Sequence, residues 1–133
     1  MKEWKKDSGK VEKREKDSDL GGTLRLGSYD TVLKKNSLAH KLYKKLNFKE
    51  RHRHRYEVNI KYKKRMEEKG MIFSGLSPDG KLPEIIEITQ FKQNGKTIKH
   101  PFFIAAQFHP EFNSSPFKPH PMFFGLIKAS ISL

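Results

Sequence analysis

The sequence predicts a mixed α/β fold, and two kinds of pattern predict it. Short apolar runs and alternations of strand length recur at 23–33, 71–75, 82–88 and 102–108. Between and after them lie two segments, starting at Ser37 and Met122, whose apolar residues fall at helical spacing. Strands interleaved with helices, without an internal repeat, indicate an α/β arrangement rather than an all-β one.

The elements follow in chain order. The first twenty residues are polar and mixed in charge, with Trp4 and Val11 the notable apolar side chains before Leu20, which reads as a surface loop or unanchored arm. Residues 21–133 form the folded portion. After Gly21-Gly22, the Leu24/Leu26 alternation predicts a short strand, and 29–33 its partner across a hairpin-like turn at Gly27-Ser28. Ser37 is a favourable N-cap for a helix over 38–46 with Leu38, Leu42, Tyr43 and Leu46 on one face. Segment 48–58 is read as extended, with Arg51, Arg53 and Arg55 on one side and His52, His54 and Tyr56 on the other. Asn59 caps a short basic helix that Gly70 closes. A strand at 71–75, a Pro78-Asp79-Gly80 turn and a returning strand at 82–88 come next. Asn94-Gly95 marks a further turn inside a polar excursion. The nearly continuous apolar run 102–108 predicts a strand buried on both faces. A last helix places Met122, Phe123, Leu126, Ile127 and Ser130 at helical spacing, with Phe123 and Phe124 as core and flank.

With 133 residues the chain has room for one modest domain, and 35% hydrophobic residues is lean for a self-sufficient one. No apolar stretch approaches the ~20 residues that cross a bilayer, and the N-terminal sixteen residues are charged throughout, so a cytoplasmic protein away from the membrane is expected. There is no cysteine, which excludes disulfides and thiolate metal sites. Of the formal +13 charge, ten units fall between Lys34 and Lys69. Such a patch attracts anions in a salt-dependent way. Lysine dominates it, however, without the glycines and exposed aromatics of RNA-binding modules, so nucleic acid is not the expected partner. Metal binding by His52 and His54 is likewise not expected, because three guanidiniums flank them and no Asp, Cys or third His stands nearby.

Chemistry enters with Gln107-Phe108-His109-Pro110-Glu111-Phe112. His109 and Glu111 stand two apart, so an extended or gently turning backbone aims both at one point. The carboxylate then accepts from one imidazole nitrogen and leaves the other as a general base. A local structural turn is the plainer alternative. A hydrolase of this design needs Cys or Ser as nucleophile. A thiolate is not available within this sequence.

Three blocks in order carry a family resemblance: Gly21-Gly22-Thr23-Leu24-Arg25-Leu26-Gly27, Glu50-Arg51-His52-Arg53-His54-Arg55-Tyr56-Glu57-Val58-Asn59, and the His109 block. Phe73-Ser74-Gly75, Ser77-Pro78-Asp79-Gly80, Glu84-Ile85-Ile86-Glu87, His100-Pro101-Phe102-Phe103 and His120-Pro121 extend it across almost the whole chain. Together they resemble the C-terminal half of the class I glutamine amidotransferase domain of the CTP synthase family. The resemblance implies a partial class I amidotransferase sheet, flavodoxin-like, with flanking helices. It implies His109 and Glu111 as base and orienting carboxylate of a Cys-His-Glu triad, and Arg55 as the residue that binds the α-carboxylate of substrate glutamine.

In that family a separate amidoligase domain uses ATP and magnesium to phosphorylate UTP. Glutamine-derived ammonia then gives CTP, GTP activates, and the enzyme is a homotetramer. The glycine-rich oxyanion loop, the cysteine elbow and the amidoligase domain are not found before Gly21, so this chain alone is expected to be inactive and to carry no cofactor site. Its expected partners are glutamine and the missing N-terminal portion. The stretch 89–99 is longer than the resemblance predicts. A different class of function stays open: a non-catalytic binding or regulatory piece whose basic patch engages an anionic partner or an intact synthase.

Overall fold

The computed structural model describes residues 3–5, 11–13 and 25–132. At the N-terminus β1 (Glu3–Lys5) pairs antiparallel with β2 (Val11–Lys13). The expectation of a loop or arm is corrected there to a two-stranded ribbon whose register sets Glu3 opposite Lys13. The rest of that segment and the boundary at Gly21 lie outside the described residues.

Strand β3 (Arg25–Leu33) is a single strand, not the expected hairpin. Gly27 takes φ 115°, which a residue without Cβ tolerates, and the ladder continues through it. The partner is β4 (Asn47–His54), in register from Arg25 opposite His54 to Val32 opposite Asn47. A turn at Gly27-Ser28 would have left β4 without this partner, and that long-range pairing outweighs the local turn signal. Between them α1 (Leu38–Tyr43) starts as expected, with the Ser37 hydroxyl accepting from the His40 amide at 3.0 Å. A second cap was not foreseen: the buried Glu87 carboxylate accepts from the Leu38 and Ala39 amides at 2.8 and 3.0 Å. The helix ends earlier than expected, at Lys44 with φ 55°, and the Leu46 carbonyl instead accepts from the Leu33 amide at 2.7 Å.

Along β4 the alternation is as expected, but the strand ends at His54, so the expected extension to 58 is corrected, and Tyr56, placed on the inward side, is 82% exposed. Phe48, Glu50 and His52 are buried, while Lys49, Arg51 and Arg53 face out. The chain then turns through a 3₁₀ segment (Ile60–Tyr62), capped by Asn59, into α2 (Lys63–Glu67). Gly70 follows at φ 97°, where a Cβ would lie 2.9 Å from the Gln90 carbonyl oxygen. Gly70→Ala therefore meets both a left-handed backbone and a backbone atom that cannot step aside. A loss of about 1–3 kcal/mol of unfolding free energy is expected in urea titration.

Strands β5 (Ile72–Leu76) and β6 (Pro83–Glu87) form the expected hairpin around Gly80. The polar excursion is itself an extended hairpin, β7 (Gln90–Gln93) and β8 (Lys96–Lys99), turned by Asn94 and Gly95 at φ 50° and 74°. Of the apolar run 102–108 only β9 (Ile104–Ala106) is strand. Burial on both faces is corrected: β9 is an edge strand, Ala105 is exposed, and only Phe108 in the run is fully buried. The sheet order is β4-β3-β5-β6-β9, antiparallel at every junction among the described residues.

The core beneath it joins Leu33, Ala39, Tyr43, Phe48, Ile85, Phe108 and Met122. Helix α3 (Pro121–Ser130), capped by the His120 ring, buries Met122 and Gly125. Phe123, Phe124, Leu126 and Ile127 stay 40–63% exposed, which corrects the expected core face and the placing of Phe123 in the core. Apolar residues surround this helix almost entirely, so periodicity does not select a face. Close packing does: a Cβ at Gly125 would come within 2.6 Å of Leu42 and 3.0 Å of Phe102. Among the described residues no helix is long and apolar enough to cross a membrane.

Candidate active site

The five-stranded sheet curls until its two edges meet, and the site sits where they do. β4 and β9 are opposite edges, yet the His109 amide donates to the Arg51 carbonyl at 2.9 Å and the Gln107 side-chain amide to the Tyr56 carbonyl at 2.8 Å. Phe108 seats the crossing, with its ring edge-on to Phe48 at 6.0 Å and to His52 at 5.9 Å. Its burial fixes where the next residue leaves the sheet.

His109 then adopts φ −106° and ψ 88°, and Pro110 opens a 3₁₀ turn over Pro110–Asn113. Proline suits that first position because its missing N–H has no partner to lose there. The turn swings Glu111 back, so that His109 Nδ1 and Glu111 Oε1 stand 2.7 Å apart. An ionised carboxylate only accepts, so Nδ1 carries the proton and Nε2 presents its lone pair. Among the described residues Nε2 has no hydrogen-bond partner. The hydrogen bond from His109 holds the Glu111 carboxyl below its ordinary value of 4.5. Its contribution to the pair is therefore present above that value and lost as acid reprotonates the carboxylate. Phe112 stacks against the imidazole at 5.3 Å, and His109 and Glu111 both remain solvent-accessible.

Arg55 lies in the bend just after β4, exposed and without a hydrogen bond or ion pair among the described residues. The carbonyl of its neighbour Tyr56 is tied to Gln107, two residues before His109. The structure thus brings the Arg55 bend and the His109 turn to the same junction of sheet edges. Beside them an open depression of about 320 Å³ is lined by Leu26, Arg51, His52, Arg53 and Phe112, with the Arg51 guanidinium 5.8 Å from the Phe112 ring centre.

Beneath the bend is a buried polar group that the sequence reading did not identify. Arg25 bonds Glu84 at 2.8 Å and Glu57 at 3.0 Å, and covers the Tyr29 ring at 4.4 Å. His52 Nδ1 meets His54 Nε2 at 2.8 Å. Burial pushes the Glu84 carboxyl up to about 7 against the pull of Arg25. Burial, with Arg25, His54 and His109 nearby, holds His52 down to about 3. The inward half of the Arg-His alternation was a usable signal for this group. The partners from β3 and β6 were not, because nothing local links residues 25, 52 and 84.

The family model for glutamine amidotransferase class-I matches residues 5–129. CTP synthase from Pelagibacter ubique (strain HTCC1062) is 58% identical over 98% of the chain, and CTP synthase from Hyphomonas neptunium (strain ATCC 15444) is 51% identical over 98%. The chain spans 22% of the length of each. Among solved structures, the Trypanosoma brucei CTPS glutaminase domain with bound acivicin matches with TM-score 0.69 and 32% identity, over 83% of this chain and 40% of that one. The expected fold is therefore the observed one, and what is described here is its antiparallel, curled part. With a family model spanning nearly its whole length and a shared fold at 32% identity, the chain belongs to the glutamine amidotransferase class-I family and corresponds to part of the glutaminase portion of CTP synthase.

Proposed function

We propose that residues 21–133 act as the C-terminal half of a glutaminase domain of CTP synthase, supplying His109 as general base, Glu111 as its orienter and Arg55 as the clamp for the α-carboxylate of glutamine. The observation that carries this reading is the 2.7 Å contact between His109 Nδ1 and Glu111 Oε1, which leaves Nε2 of a partly exposed ring without a hydrogen-bond partner among the described residues.

The steps follow from that arrangement. Nε2 takes the proton of a cysteine thiol donated by a segment outside this sequence, and the thiolate attacks the amide carbon of glutamine. The imidazolium, steadied by Glu111, returns the proton to the leaving nitrogen, which departs as ammonia and leaves a thioester. His109 next deprotonates water, which hydrolyses the thioester to glutamate and restores the thiol. Arg55 is suited to its part because a planar guanidinium holds a carboxylate by two parallel hydrogen bonds. The amidoligase portion, with ATP, magnesium and GTP as activator, would use the ammonia to convert UTP to CTP in a cytoplasmic homotetramer.

The test is complementation. The chain is mixed with a polypeptide carrying the preceding part of the synthase, cysteine elbow included, and glutamate release from glutamine is followed. Release by the mixture, and by neither piece alone, is the expected result. Two soluble, associated pieces that leave glutamine intact would exclude the reading.

A further inference from the structure

The buried group under the Arg55 bend forms a chain with a direction, and donor and acceptor chemistry fixes that direction. Among the described residues only acceptors stand within reach of His54 Nδ1, the Tyr56 carbonyl at 3.2 Å and Glu57 Oε1 at 3.6 Å, so Nδ1 carries hydrogen. In a neutral ring Nε2 of His54 then accepts, and the hydrogen in the 2.8 Å contact belongs to His52 Nδ1. His52 Nε2 is left with a lone pair, and what faces it at 3.5 Å is Glu84 Oε2. Both atoms are fully buried and have no hydrogen-bond partner. Two lone pairs turned toward each other in a dry interior are costly, and one proton between them relieves both.

The charge count agrees. Arg25 with ionised Glu57 and Glu84 leaves one buried negative charge in excess, and a proton on Glu84 removes it. Glu84 also has its other oxygen engaged by Arg25, so the proton belongs on Oε2.

We propose that Glu84, His52 and His54 hold one proton in a directional hydrogen-bond chain that, with Gln107, fixes the Tyr56 carbonyl and thereby aims Arg55, making these four positioning residues for the substrate carboxylate. The role assigned to Arg55 is the one given above, and the aim of the clamp rests on it; the held proton does not. The raised Glu84 and depressed His52 described above run in the same direction. The charged and titratable groups facing the chain are Arg25 on β3, Glu57 past β4 and His109 after β9, with Tyr29 edge-on to His52 at 5.4 Å. The Tyr56 carbonyl receives hydrogens from two sides, His54 and Gln107, so losing either one loosens the bend without touching the base.

Two measurements test this. The first labels the histidines of the full chain with ¹⁵N, alone and mixed with its unlabelled complement, and reads ring tautomers from long-range ¹H–¹⁵N spectra at pH 7. Both His52 and His54 are expected as neutral Nδ1–H tautomers, and Glu84→Gln is expected to preserve them, because its oxygen can accept from Arg25 while its amide donates to His52. An Nε2–H His52, or an imidazolium at His54, overturns the held proton. The second uses the complemented glutaminase. His54→Leu and Gln107→Leu are each expected to raise KM for glutamine about tenfold with kcat changed far less. Glu84→Leu does the same, and Glu84→Gln restores most of the loss. A fall in kcat at unchanged KM overturns the positioning role. A complex without any glutaminase activity defeats the reading of Arg55 and His109 instead, and the tautomers still decide the proton.

Discussion

His109→Ala is expected to lower glutamate release by the complemented enzyme about 10³-fold, with KM for glutamine nearly unchanged. The size follows from the role: without the imidazole no group takes the thiol proton or returns one to the leaving nitrogen. The ring is partly exposed and outside the core cluster, so truncation should leave the fold in place. Ammonia supplied directly bypasses the glutaminase step, so CTP formation from ammonia should survive the substitution in a complete synthase. Steady-state kinetics with each nitrogen donor separates the two activities. The same variant tests the non-catalytic alternative, in which the basic patch between Lys34 and Lys69 carries the function. Under that alternative His109→Ala changes nothing and loss of two or three basic side chains weakens partner binding and its salt dependence.

The second large effect is expected at Arg55. Arg55→Ala should raise KM for glutamine about 10–100-fold, the scale of losing a charge-assisted hydrogen-bond pair to a carboxylate. Arg55→Lys should recover only part of it, since an ammonium offers a point charge where the guanidinium offers two parallel donors. Glutamine-dependent kinetics check this, and a KM unchanged in both variants would remove Arg55 from the carboxylate site. Its exposure and lack of ion pairing make the experiment clean, because no hydrogen bond or ion pair among the described residues is broken.

Much of this site was legible before any coordinates. The spacing of His109 and Glu111 predicted that the two side chains meet, and they stand 2.7 Å apart. The alternation of Arg51, His52, Arg53 and His54 was equally plain, because a strand with one dry face must alternate. What local pattern did not reveal was long-range pairing. Gly27-Ser28 looked like a turn until β4, some twenty residues on, supplied the partner that keeps β3 straight. The run 102–108 looked doubly buried because its hydrophobicity is continuous. Part of that hydrophobicity serves instead to anchor Phe108 where the sheet edges cross. The face of α3 was chosen by Gly125, whose missing side chain admits Leu42 and Phe102. Periodicity among bulky residues carries no information about such an approach. The Glu84–His52–His54 chain was invisible for the same reason, since its members come from strands that only the curl of the sheet brings together.

The most direct measurement is the distance, in a crystal structure of the complemented complex, between His109 Nε2 and the donated cysteine sulfur. The account predicts hydrogen-bond reach, about 3–3.5 Å, with Nδ1 still bonded to Glu111. A sulfur beyond about 6 Å, or a Glu111 turned away from the ring while the complex hydrolyses glutamine, would contradict it.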